Sequence, residues 1–333
     1  MARIDVIANV FRVNPDKVRT RGNQAIMSDS KVTRGVFAAA LTPMTAELAP
    51  DLGAMITHFN WLLRRGCDGI GVLGTTGEAN SFSVEERLDI IDAVGNSDLP
   101  GDKLMIGTGT CAEPDTLRLS RAALSAGVKT MLMLPPFYYK GITDQGLANA
   151  FARVIEGIGD EDLKVVLYHF PKMTGVPITA GSIELLLKDY PDVIVGLKDS
   201  SGDLDNMTSL LKNFPGFGVY AGTERFLLPV LRAGGPGCIS ASANVTSAMA
   251  QEVFQAFETE SANADELQEQ LTAVRQVFDG LPLIGALKEA MANLTGRNGW
   301  RALRPPLTLL EAAQSEQLRD SLDQAGFSLK AAA

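Results

Sequence analysis

From Val36 onward, short apolar runs alternate with amphipathic segments, and Gly, Pro, Ser or Thr marks most of the joins. Runs rich in β-branched and aliphatic residues predict strands buried on both faces. They fall at 36–41, 69–73, 104–107, 129–134, 163–168, 193–198, 218–220 and 237–240. The segments between them carry helix spacing. Met55, Phe59 and Leu62 share one face of a helix over 51–65, which Gly66 ends. Ser83 is placed to cap the next helix, with Glu85 and Glu86 in its first turn. Further helices are predicted over 115–126 and 143–158 and around 183–188. After about residue 256 only helical patterns remain, over 266–278, 281–294 and 307–322.

Strict strand and helix alternation implies parallel strands, and eight such units within 34–256 fit the size of a closed (β/α)₈ barrel, the TIM barrel. The expected fold is therefore α/β, with a C-terminal helical subdomain over 257–333 and an N-terminal extension over 1–33. An open doubly wound sheet is the competing architecture. It ordinarily carries a Gly-rich dinucleotide turn after its first strand, and Leu41-Thr42-Pro43-Met44 is no such turn. Gly107-Thr108-Gly109-Thr110 lacks the third glycine of that fingerprint.

Composition narrows the function classes. A net charge of −9 leaves no basic footprint for nucleic acid, and no apolar run is long enough for a membrane span. Cys67, Cys111 and Cys238 are odd in number and form no close pair, which fits a reducing cytoplasm and thiols packed as small hydrophobes. His58 and His169 are the sole histidines, too few for a dedicated zinc site.

Candidate chemistry gathers at the strand ends. In a barrel the loops after the strands share one face, so residues distant in sequence meet there. Strand six closes on Lys198 and runs into Asp199-Ser200-Ser201-Gly202. Burial disfavours a charged amine, so a lysine at that mouth is suited to attack a carbonyl. Taken alone, Lys198 could equally snorkel to solvent. Strand two leads into Gly74-Thr75-Thr76-Gly77-Glu78, whose glycines are expected to let the backbone turn and aim amides at a carboxylate. Strand five ends on Tyr168, and strand four leads to Pro135-Pro136-Phe137-Tyr138-Tyr139. An amine, a phenol and an amide nest together suit a 2-oxo acid, though singly each has a structural explanation as a turn, a strand-end aromatic or an interface patch.

Three segments, Gly74 to Glu78, Leu167-Tyr168-His169-Phe170-Pro171 and Gly196 to Gly202, resemble the signatures of the dihydrodipicolinate synthase and N-acetylneuraminate lyase family. With Thr42-Pro43 and Ala221-Gly222-Thr223-Glu224, the likeness spans about 34–325. It implies pyruvate-dependent class I aldolases and lyases, commonly homotetramers built as dimers of dimers. By resemblance, Lys198 is the Schiff-base lysine and Tyr168 the proton shuttle. Thr75 links that tyrosine to a second one supplied by the adjacent subunit, matched here by Tyr138, with Tyr139 as the alternative. The Thr75 and Thr76 backbone would hold the pyruvyl carboxylate, and Gly222 and Ile239 would line the pocket.

One departure bears on the substrate. Met173 stands where the true synthases carry an arginine for the second substrate's carboxylate, and a thioether cannot form that bidentate charged pair. His169 and Phe170 also replace the usual residues. The expected function is thus a class I aldolase or lyase that joins or releases pyruvate, or another 2-oxo acid, and an aldehyde, outside lysine biosynthesis. Phe170 and Met173 imply an apolar or uncharged partner. The imine is the electron sink, so neither metal nor organic cofactor is required. A dehydratase or hydratase-aldolase of a 2-keto-3-deoxy sugar acid or aromatic 2-oxo acid shares this chemistry. A non-catalytic 2-oxo acid sensor is the reading from a different class.

Overall fold

The computed structural model describes residues 32–328, so most of the expected N-terminal extension lies outside the described residues. Eight parallel strands close a barrel in sequential order. They are β1 (Gly35–Ala39), β2 (Gly69–Val72), β3 (Leu104–Gly107), β4 (Thr130–Met133), β5 (Lys164–His169), β6 (Ile194–Asp199), β7 (Gly218–Ala221) and β8 (Gly237–Ser240). The helices of the wrap are α1 (Leu52–Arg64), α2 (Val84–Gly95), α3 (Glu113–Ser125), α4 (Asp144–Ile158), the short α5 (Pro171–Thr174), α6 (Ala180–Asp189), α7 (Leu204–Asn213), α8 (Leu227–Arg232) and α9 (Ala243–Glu258). Then come α10 (Ala264–Val277), α11 (Leu283–Thr295) and α12 (Ala312–Gln324).

Local signals set several of these boundaries. Asp51 accepts from the Ala54 amide at the start of α1, and Ser83 and Glu86 form a reciprocal capping box on α2. Thr143 caps α4, which ends on Gly159 in the left-handed region at φ 64°. The helix expected over 307–322 instead begins at Ala312. A capping box of Glu311 with Gln314 fixes its start, and the preceding Pro305 and Pro306 supply no amide donors.

Side chains sort by the period of two. Val36 and Ala38 of β1 pack in the layer between strands and helices, while Phe37 and Ala39 point into the barrel. The interior is filled by Phe37, Met105, Leu132, Val166, Val195, Tyr220 and Ile239, so the barrel is a packed core and not a channel. Cys67 and Cys238 are buried and unpaired, and burial pushes the Cys67 thiol up to about 12. Cys111 departs from the expected packing and is exposed.

Strand β6 breaks the alternation once. Val165 pairs with Ile194 but Val166 pairs with Gly196, so one extra residue enters β6 opposite β5. Val195 faces the interior and Leu197 the outer layer. Regular alternation from Val195 would have turned Leu197 inward and Lys198 outward. The bulge reverses this and aligns Lys198 with Tyr168 on the neighbouring strand. Gly196 makes the bulge possible, because a Cβ there would stand 2.4 Å from the Gly218 carbonyl oxygen.

The C-terminal helices build a second apolar cluster around Phe278, Leu287, Met291, Trp300, Leu318 and Leu322, which also takes in Leu41 and Val245. Polar ties reach the loops of the barrel mouth. The Arg304 guanidinium donates to Glu86 and to the carbonyls of Leu48 and Ser81, and it lies over the Phe82 ring.

Candidate active site

The ends of β2, β5, β6, β7 and β8 open into one cavity of about 540 Å³, within the range of small-molecule sites. Thr75, Thr76, Tyr168, Phe170, Met173, Lys198 and Gly222 all line it. Lys198 is buried, and its Nζ stands 4.3 Å from the centroid of the Tyr168 ring. The Tyr168 hydroxyl donates to Thr75 Oγ1 across 3.4 Å, and its ring stacks on Phe170.

Backbone ties hold the lysine end. The Ser200 amide donates to the His169 carbonyl, and the Gly222 amide donates to the Asp199 carbonyl. Asp199 is fully buried and accepts from the Ser201 amide at 2.8 Å and from Asn206 Nδ2 at 2.7 Å. His169 Nδ1 accepts from the Ile178 amide at 3.0 Å, so the neutral ring carries its proton on Nε2. Burial holds its pKa below the ordinary histidine value, with Asp199 and Asp203 opposing that shift. Gly222 is required by space: a Cβ there would stand 2.3 Å from Ser200 Oγ.

The loop after β2 turns by other means than the sequence implies. Gly74 and Gly77 are not the left-handed residues; Leu73 and Glu78 are, each at φ 58°. Gly77 serves close approach instead, since its Cβ would lie 2.9 Å from the Ala40 carbonyl oxygen. Thr42 Oγ1 donates to the Gly77 carbonyl and fastens the turn to the end of β1. The amides of Thr75 and Thr76 donate to no protein acceptor among the described residues, as an anion nest requires.

Glu224 anchors the far side. It is fully buried and accepts from the hydroxyls of Ser240 and Thr246, while its carbonyl accepts from Gln268 of α10. These bonds fix the 3₁₀ turn Glu224–Phe226, which carries Arg225 to the cavity wall.

Two expected site residues lie elsewhere. Ile239 sits in the barrel core beside Phe37 and Tyr220, because its place on β8 is one residue short of the rim; Ser240 and Ala241 line the cavity instead. Tyr138 is 73% exposed and packs edge-on against Tyr139, away from the cavity of its own chain. Met173 is at the rim and 65% exposed. Sequence reading missed Arg225, Arg275 and Asp279 on the wall. Arg225 directly follows the Ala221–Glu224 segment and was within reach, whereas Arg275 belongs to a helical stretch that reads as packing and Asp279 to the turn just after it.

Residues 32–325 match the model of the dihydrodipicolinate synthetase family. The chain belongs to this family. It is 34% identical over 294 residues to an uncharacterized DapA-like lyase of Chloroflexus aurantiacus, covering 87% of this chain and 96% of the relative. It is 31% identical over 305 residues to a 4-hydroxy-tetrahydrodipicolinate synthase of Thiobacillus denitrificans, covering 90% and 99%. Among solved structures it matches YagE, a prophage protein of the dihydrodipicolinic acid synthase family from E. coli K12 in complex with pyruvate, with a TM-score of 0.80 at 28% identity, covering 89% and 99% of the two chains. Membership of the dihydrodipicolinate synthetase family agrees with the closed barrel and with the order of the three sequence signatures along it.

Proposed function

We propose that the protein is a lyase that handles pyruvate or another 2-oxo acid through an imine on Lys198. The observation that carries this reading is the buried Lys198 amine over the Tyr168 ring, in a cavity that Thr75 and Thr76 also line. The Lys198 amine adds to the keto carbon and water leaves, giving the imine. Loss of a proton from the adjacent carbon then gives an enamine, which bonds to an aldehyde carbon; cleavage runs the same steps backwards. Hydrolysis of the product imine returns the free amine. Tyr168 carries the protons, Thr75 holds its hydroxyl, and the 2-oxo acid carboxylate rests on the Thr75 and Thr76 amides.

Met173 argues against dihydrodipicolinate formation, since no guanidinium stands at that position for the acceptor's carboxylate. Dehydration of a 2-keto-3-deoxy sugar acid is a second reading, favoured by the hydroxyls of Ser200, Thr223 and Ser240 on the wall, which suit a polyol chain. Exposed Tyr138 and Tyr139 support a homotetramer built as a dimer of dimers, with Tyr138 completing a neighbour's site. The unpaired cysteines support a cytoplasmic location.

Incubation with pyruvate, reduction with borohydride and peptide mapping test the imine. A pyruvate-derived mass gain on the Lys198 peptide is expected, and an unmodified Lys198 would overturn the proposal. Product analysis then separates the two readings: water loss with an intact carbon chain indicates dehydration.

A further inference from the structure

The wall that holds the lysine also carries a second polar centre. There Arg225 Nη1 lies 2.8 Å from Asp279 Oδ2, and Arg275 Nη1 lies 2.6 Å from Asp279 Oδ1. A single carboxylate is thus divided between two guanidiniums. Each arginine keeps most of its N–H groups free of protein acceptors, and both Nε atoms are buried without a hydrogen-bond partner among the described residues. A buried donor left unpaired is costly, and two guanidiniums facing one carboxylate leave a net positive charge.

The rest of the wall adds to that charge. Lys172 also lines the cavity, and Asp279 is the sole acidic side chain among the lining residues. This is a local reversal of sign in a chain of net charge −9. An incoming anion would meet the Nη groups that Asp279 leaves unused on the cavity wall and offset the excess charge, although the buried Nε atoms lie out of its reach, and arginine forks match both carboxylate and phosphate.

We propose that Arg225 and Arg275, held apart by Asp279, form an anion subsite for a carboxylate or phosphate at the far end of the aldehyde substrate. The inference rests on the imine reading for Lys198. It revises the expectation of an uncharged partner: Phe170, stacked on Tyr168, faces the portion near the reacting carbon, while the distal end is acidic. Recognition of that acid has moved from the loop after β5 to the wall made by the turn after β7 and the end of α10.

The test uses matched aldehydes with pyruvate: succinic semialdehyde against butanal, and glyceraldehyde 3-phosphate against glyceraldehyde. Wild type is expected to favour the acidic member of at least one pair by about tenfold or more in kcat/KM, and the pair with the larger ratio identifies the anion. Arg275→Gln should cut that ratio by about tenfold to a hundredfold, and the more exposed Arg225→Gln gives the same readout if Arg275→Gln folds poorly. Equal rates for acidic and neutral aldehydes in wild type, or an unchanged ratio in both folded variants, would show that the triad only ties α10 to the barrel. Should no aldehyde react, succinate is titrated calorimetrically into wild type and Arg275→Gln after borohydride has fixed pyruvate on Lys198. Binding to wild type that weakens in the variant supports the subsite, and equal or absent binding overturns it. If pyruvate leaves no adduct, the imine reading fails, and the same titration on untreated enzyme still decides the subsite.

Discussion

Lys288 and Glu78 form a fully buried ion pair, with Nζ 2.5 Å from Oε1, that joins α11 to the Gly74–Glu78 turn after β2. Lys288 Nζ also donates to the Ala302 carbonyl at 2.7 Å. Burial lowers the Lys288 pKa, and the Glu78 carboxylate opposes that shift. Glu78 is held at φ 58°, and its amide donates to the Thr75 carbonyl. Its carboxylate has no hydrogen-bond donor beyond this pairing among the described residues. The C-terminal helices thereby hold the shape of the Thr75–Thr76 turn from behind.

Removing one partner alone is therefore expected to be severe. Lys288→Met should destabilise the fold by about 3–5 kcal/mol, because it strands a buried carboxylate. The KM for pyruvate should rise as the turn loosens. The double variant Glu78→Gln with Lys288→Met should recover much of the stability, as urea midpoints will show. Equal losses in the single and double variants would mean that the ion pair does not set the cost.

Tyr168 and Thr75 should separate chemistry from binding. Tyr168→Phe keeps the ring that lies against Lys198 and Phe170 and removes the hydroxyl that reaches Thr75. Loss of a positioned proton carrier costs about 10²–10⁴ in rate, so kcat should fall by that order while KM for pyruvate moves little. Thr75→Val should lower kcat by a smaller factor, since the phenol stays but loses its partner. A Tyr168→Phe enzyme with wild-type kcat would remove Tyr168 from the proton path.

The β6 bulge makes Gly196 a sharp test of how the lysine is aimed. A methyl group at Gly196 would meet the backbone oxygen of Gly218, which cannot step aside as a flexible side chain would. Gly196→Ala should lower the melting temperature and slow borohydride trapping on Lys198 together. Trapping at the wild-type rate would show that the strand absorbs the methyl without turning the lysine away.

This bulge also marks where the sequence stops being legible. The eight strands and their order could be read from apolar runs, since a parallel barrel buries both faces of each strand and leaves near-continuous hydrophobic stretches. The Ser83 cap was equally readable. The inward turn of Lys198 was not, because periodicity cannot show one inserted residue; strict alternation from Val195 points Lys198 the wrong way. The Gly74–Glu78 turn was located correctly but explained by its glycines, whereas Leu73 and Glu78 take the left-handed conformation under tertiary constraint. Lys288 falls within the predicted helix 281–294 with nothing in the sequence to mark it, and only the fold brings it to Glu78, more than two hundred residues earlier.

His58 gives the fold a pH dependence of its own. Its Nε2 donates to Asn244 Oδ1 at 2.8 Å, and its ring stacks on Trp61 and meets Trp300 edge-on. Asn244 Nδ2 donates to the Ala39 and Ala241 carbonyls, which fixes its oxygen toward His58. Burial pulls the His58 pKa from 6.5 to about 4. The folded-state pKa lies below the unfolded one, so the unfolded chain binds the proton first. Stability from this group is complete above pH 6.5 and is lost as pH falls from 6.5 to about 4, by up to about 3 kcal/mol. Urea midpoints measured across that window should fall less steeply in His58→Gln than in wild type. Parallel pH profiles would assign the dependence to other groups.

Tyr138 tests the proposed assembly. Within its own chain it stands exposed and off the cavity, so a role in catalysis requires that it reach a neighbour's Lys198. A Tyr138→Phe subunit keeps its lysine, and a Lys198→Ala subunit keeps its tyrosine. Each alone should be impaired. In a hybrid pair, the Tyr138→Phe subunit receives an intact Tyr138 from its neighbour and regains one complete site, while the other site lacks both groups. Random pairing of the two variants should then restore up to about a quarter of wild-type activity if exchange is reciprocal across a two-fold interface. Hybrids that form, as differential tags can verify, yet recover nothing would confine each site to residues of a single chain.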